Sequence, residues 1–121
     1  MASLTVALSG GLGNQMFQYA MGRALTLRHD VELRLDLYGF EFDAFHRRNF
    51  ELDYFSIPPG LRHVRSPIAF SAGRLLSYIS RIRKEVAILG GSWLIVEPSL
   101  EFDLQQIRRI PATNAYLFGY W

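Results

Sequence analysis

The chain has 121 residues, half of them hydrophobic, which is the size of one small domain with enough apolar mass for a core, and this excludes a disordered or fibrous protein. Thirteen Lys and Arg against eleven Asp and Glu leave a formal charge of +2, too small to point to nucleic acid. With no cysteine there is no disulfide framework or thiolate metal site, and no apolar run approaches the ~18 residues that cross a bilayer, so the expected setting is the cytoplasm.

Leu4 to Leu8 (LTVAL) is a near-continuous apolar run of strand formers and predicts a buried parallel strand. SGGLGNQMFQYA follows from Ser9, a glycine loop that leads into a helix from Asn14 or Gln15. Phe17, Ala20, Met21, Ala24 and Leu25 recur there at helical spacing, which places Phe17 in the core, and His29-Asp30 ends the pattern. Val31 to Leu35 (VELRL) alternates apolar and charged residues and stops at Asp36, a second strand. Strand, loop, helix and strand make a βαβ unit with parallel strands.

Residues 38–56 mix aromatics with charge and read as an irregular excursion, with one short helix or strand near Phe50 to Phe55 before Pro58-Pro59-Gly60. From Ala72 to Leu89, the stripe Leu75, Ile79, Ile82, Val86 and Leu89 predicts one amphipathic helix that ends at Gly90-Gly91. Its polar positions are basic, which raises peripheral contact with a membrane beside the weightier reading of a solvated face. Trp93 to Val96 predicts a strand, Leu100 to Ile107 a short helix capped by Ser99, and Ala115 to Phe118 a last strand. The chain stops soon after that strand with no closing helix, so it reads as the first half of a larger α/β unit.

A strand that runs through glycines into a helix offers unpaired backbone N–H groups and the positive end of the helix dipole to an anion. Gly11 and Gly13 fit the start of the dinucleotide fingerprint G-x-G-x-x-G, but Met16 stands where its third small residue should be. A tight strand-to-helix turn is the plainer alternative for the glycines, and Asn14 by itself could be a helix cap. Two adjacent carboxamides, Asn14 and Gln15, add donors and acceptors suited to sugar hydroxyls or a diphosphate.

GGLGNQMFQYAMGRAL resembles the N-terminal signature of the α-1,2-fucosyltransferases of glycosyltransferase family eleven, and VELRLDLYGF, FELDYFSI and YLFGYW resemble the segments that follow it in order. The resemblance implies the N-terminal Rossmann-like half of a GT-B-type fold, a parallel sheet with flanking helices over residues 1–121. It also implies a GDP-fucose donor, a galactoside acceptor, and inverting transfer of L-fucose to the acceptor 2-hydroxyl without metal or other cofactor. Such a transfer needs a base for that hydroxyl and charge stabilisation for the departing GDP. There is no D-x-D pair, and His29, His46 and His63 lack ligand spacing, so no metal site is expected.

Carried over residue by residue, Gly10, Gly11, Gly13, Asn14 and Gln15 would face donor and acceptor, and Asp36, at a strand end, is the one candidate base beside its plainer role as a loop-ordering carboxylate. Tyr120 and Trp121 could stack on a sugar, with a buried aromatic pair the safer reading. The family's H-x-R-R-x-D donor element belongs to a second half. His46-Arg47-Arg48 imitates it superficially, without the spacer or the Asp, and reads as a decoy. Alone, the chain is expected to be inactive. Two other classes stay open: a dinucleotide-binding oxidoreductase domain and a non-catalytic nucleotide- or glycan-binding module.

Overall fold

Leu4 and Val6 project from one side of the first strand, Ser3–Ala7 (β1), and Ala7 joins the core on the other, so the strand is covered on both faces as its unbroken apolar run requires. The computed structural model describes residues 2–42, 48–56, 61–79, 84–88, 92–96 and 114–119. β1 leads into the long helix Leu12–His29 (α1), which ends on Asp30 in the left-handed region (φ 53°), where the cap N–H bonds back to Thr26. Asp is one of the few residues that adopts that conformation with a side chain. The second strand, Glu32–Asp36 (β2), then runs parallel to β1 in the register Ser3↔Glu32 to Ala7↔Asp36.

A short helical turn, Tyr38–Phe42 (α2), and a single 3-10 turn, Leu52–Tyr54, occupy the described parts of the excursion after β2. Leu52 is buried against the α1 face of the sheet. A three-residue strand, Arg62–Val64 (β3), pairs parallel with β2, and Pro67–Ile79 forms a helix (α3) that opens on proline, whose missing N–H costs nothing in a first turn. Lys84–Ile88 (β4), Ser92–Val96 (β5) and Ala115–Phe118 (β6) complete a six-stranded sheet in the order β3-β2-β1-β6-β5-β4. The five strands β3, β2, β1, β6 and β5 are mutually parallel, and β4 is an antiparallel edge.

Side chains divide between the two faces. Leu4, Val6, Leu33, Leu35, Ile95 and Leu117 meet Leu25 of α1 on one, while Leu94, Val96 and Tyr116 meet Phe70 of α3 on the other. Each fully buried leucine contributes ~1.5 to 3 kcal/mol of transfer free energy. Helices on both faces of a mostly parallel sheet make an α/β fold consistent with the expected Rossmann-like half. α1 lies close to the sheet because Gly22 has no side chain: a Cβ there would stand 2.6 Å from Val6 Cγ2 and 2.9 Å from Leu33 Cδ1. The close helix–strand approach that the dinucleotide fingerprint assigns to its third glycine is therefore made at Gly22, further along α1 than Met16.

Three expectations change. The single helix over Ala72 to Leu89 is instead α3, which begins at Pro67 and ends at Ile79, followed by the strand β4; Val86 pairs with Leu94 across the β4–β5 ladder. Phe17 is not in the core but 66% exposed, because the face that α1 turns to the sheet carries Gln15, Gln18, Gly22, Leu25 and Thr26. Met16, Phe17, Ala20, Ala24 and Leu27 lie on its outer side, so the helix is apolar on that side as well. The strand β3 had no counterpart in the sequence reading. Ile82, Leu89, the helix expected at Leu100 to Ile107, and Tyr120-Trp121 lie outside the described residues.

Candidate functional site at the glycine loop

β1, β2 and β6 deliver their carboxyl ends to one edge of the sheet, where the chain turns from Leu8 into the glycine loop, and ligands of open α/β sheets bind outside that edge. Gly10 has φ +74°, a conformation that favours glycine; a Cβ there would also fall 2.6 Å from Nδ2 of the exposed Asn14, a side-chain end that can move aside. Gly11 is the N-cap of α1, and no side chain caps the helix. Asn14, in the first turn, is exposed and does not serve as the cap. The helical ladder begins with Gln15 N donating to Gly11 O (3.1 Å), and the first turn carries no acidic residue. The N–H groups ahead of that bond and the positive end of an 18-residue helix are open to an anion.

A cation stands beside them. The Arg48 guanidinium lies over Gly11, its Nη1 3.4 Å from where a Cβ on that glycine would be. From sequence Arg48 belongs to the triplet His46-Arg47-Arg48, set aside as a decoy because it lacks the spacer and the Asp of the donor element and lies in the first half. No local pattern singles it out, since Glu51 and Asp53 stand close by in sequence as ordinary ion-pair candidates. His46 and Arg47 lie outside the described residues.

Gln15 is placed differently from the other loop residues. Its side chain is fully buried, with Nε2 donating to Gly10 O (3.0 Å) and Asn49 O (2.8 Å) and Oε1 accepting from Glu51 N (2.9 Å). One helical turn on, Gln18 is buried too: Oε1 accepts from Ser9 N (3.0 Å), and Nε2 donates to Ser9 Oγ (3.3 Å) and Gly119 O (2.9 Å). Burying an amide is tolerable only when its polar atoms are paired, and here both ends of each are. The two glutamines fasten the glycine loop, one to the segment after β2 and the other to the end of β6.

Asp36 is also fully buried. Oδ1 accepts from Tyr38 N (3.0 Å) and Ser66 N (3.1 Å), and Oδ2 accepts from the Tyr116 hydroxyl (2.5 Å). This carboxylate ties the starts of α2 and α3 to β6, the loop-ordering role set beside the base in the sequence reading. Burial, and then the Asp36 charge and hydrogen bond, push the Tyr116 hydroxyl far above the ordinary tyrosine value. Among the described residues no group of three or more His, Cys, Asp or Glu is placed to hold a metal ion, and no helix is long and apolar enough to cross a membrane.

Gly13 contrasts with Gly10: it is exposed within α1, and a Cβ there would meet nothing within 4 Å. The fold gives no reason for glycine at this position, so Gly13→Ala is expected to stabilise the free chain by about 0.5 to 1 kcal/mol, read as a higher Tm. A lower Tm would show that the fold does need this glycine.

The chain is 44% identical over 57 residues to an alpha-1,2-colitosyltransferase of Escherichia coli, a match that takes in 47% of this chain and 19% of that protein. The matched stretch thus covers about a fifth of the length of this curated relative. No protein-family model matches, and no solved structure matches. Over that stretch the chain is similar to a glycosyltransferase, which supports a glycosyltransferase-like protein at the level of transferase class.

Proposed function

We propose that the chain is the N-terminal Rossmann-like part of a GT-B-type, inverting α-1,2-glycosyltransferase that takes a deoxysugar, L-fucose by the resemblance of its loop signature, from GDP-fucose to the 2-hydroxyl of a galactoside. The observation that carries the reading is the similarity to a transferase named for an α-1,2 linkage. The glycine loop supports it: open N–H groups, a helix dipole and the Arg48 guanidinium together suit the diphosphate of a nucleotide sugar. Asn14, exposed at the mouth of the loop, has an amide available to a sugar or phosphate. In this reading the chain supplies one wall of the site and a second half the other, with no metal involved.

Calorimetric titration of the chain with GDP, GDP-fucose, NADH and a galactoside tests it. GDP or GDP-fucose is expected to bind, and NADH binding with no response to GDP would return the dinucleotide-binding oxidoreductase and overturn the transferase reading. Galactoside binding with no nucleotide response would leave a glycan-binding module. The named sugar of the relative favours one further comparison, a colitose donor beside the fucose donor, and tighter binding of the former would reassign the sugar while keeping the reaction.

A further inference from the structure

We infer that Gln15 is a positioning residue that acts through Arg48: it binds the chain on the C-terminal side of Arg48 to the first turn of α1 and so holds the guanidinium over Gly11, where it forms the cationic wall for a nucleotide diphosphate. The inference deepens the nucleotide-sugar reading and rests on it. Arg48 precedes Asn49, whose carbonyl takes a 2.8 Å hydrogen bond from Gln15 Nε2, and Glu51 N closes the same clamp onto Gln15 Oε1. The amide that grips this segment also grips Gly10 O, so the turn that exposes the helix N-terminus and the segment that carries the arginine share one buried side chain. A guanidinium is a rigid fork that binds phosphate in a fixed geometry, so its value depends on where its backbone is held. Gln15 is 34 and 36 residues away in sequence from the two backbone groups it ties, a link that no local turn would supply.

The test is a double-mutant cycle on the affinity of the chain for GDP, with thermal unfolding recorded in parallel. Arg48→Ala is expected to weaken GDP about tenfold, the scale of one lost charge-assisted contact, and Gln15→Met to weaken it severalfold. Because the glutamine acts through the arginine, Gln15→Met in the Arg48→Ala background should weaken GDP little further, while it lowers Tm equally in both backgrounds. Additive losses would overturn the inference, as would Arg48→Ala that binds GDP like the wild-type chain. Either result leaves the nucleotide-sugar reading standing, whereas a wild-type chain that binds neither GDP nor GDP-fucose overturns that reading and the inference with it. Should Gln15→Met not fold, Gln15→Asn, which keeps the amide but draws it back by one methylene, supplies the same cycle.

Discussion

Asp36→Ala is expected to cost about 4 kcal/mol, a large part of the ~5 to 15 kcal/mol that holds a domain of this size together. The substitution strands three buried donors at once, the N–H groups of Tyr38 and Ser66 and the Tyr116 hydroxyl, and each unpaired group costs ~1 to 3 kcal/mol. Urea unfolding should show the loss as a much lower midpoint. Tyr116→Phe, which removes one of the three bonds, should cost ~1 to 2 kcal/mol. A carboxylate whose role was proton transfer alone would leave the midpoint nearly where it was, and that outcome would remove Asp36 from the framework of the sheet edge.

The same pair sets an alkaline dependence. The folded pKa of Tyr116 lies above its unfolded value, so its contribution to stability is complete below about pH 10 and is lost as pH rises beyond that, when the unfolded chain can ionise the phenol and the folded chain resists. Tyr116→Phe should flatten the fall in stability above pH 10. Equal alkaline losses in both proteins would show that the hydroxyl does not titrate with folding.

Gly22→Val is expected to cost about 3 kcal/mol, the upper range for forcing extra carbon into a packed contact. Its Cβ alone would overlap Val6 Cγ2 at 2.6 Å, and two further methyl groups leave the helix no choice but to lift from β1 and β2. The lift would also reach the site, since Gln15 and Gln18 bond to the loop from the same face of α1. Gly22→Ala separates the two contributions. It gains up to ~1 kcal/mol of helix propensity and still meets the close contacts, so it should fall between wild type and valine in thermal unfolding. A valine variant as stable as the wild-type chain would show that the helix does not rest on the sheet through this glycine.

Much of the core architecture was legible because it is written locally. LTVAL, the glycine loop, the helix after it, VELRL, WLIV and AYLF all mark elements by runs or alternations that need no distant partner to be recognised, and each became the expected strand or helix to within a few residues. The stripe from Leu75 to Leu89 misled because helical spacing continued by coincidence past Ile79 into a strand. Gly90-Gly91, read from sequence as the helix stop, lies outside the described residues, and it is the antiparallel ladder to β5 that makes Lys84–Ile88 a strand. β3 is too short, with Arg62 and His63 exposed, to announce itself; only its ladder to β2 makes it a strand.

The glycine loop was legible as a loop, and the roles of its side chains in the fold less so. The sequence marked Gly10, Gly11, Gly13, Asn14 and Gln15 as one cluster, but a pattern rule that counts glutamine as polar sends it outward and phenylalanine inward. α1 does the reverse, because Gln15 and Gln18 find backbone partners 34 and 101 residues away that no periodicity can reveal. Asp36 was similarly ambiguous in one dimension, where a strand-end carboxylate can serve chemistry or structure. Its three donors come from residues 38, 66 and 116 and become visible only once the strands are side by side.

β6, the last strand among the described residues, is inserted beside the first, with Leu4 opposite Ala115 and Val6 opposite Leu117. A nascent chain emerging from the ribosome therefore holds β1 with one flank bare until more than a hundred residues have been made, and closing so long a loop is paid in chain entropy before any ladder bond returns it. Closure of this part of the sheet thereby waits on the synthesis of residues 115–118, and the interval before β6 arrives is when an exposed strand edge is most open to chaperones and to mispairing.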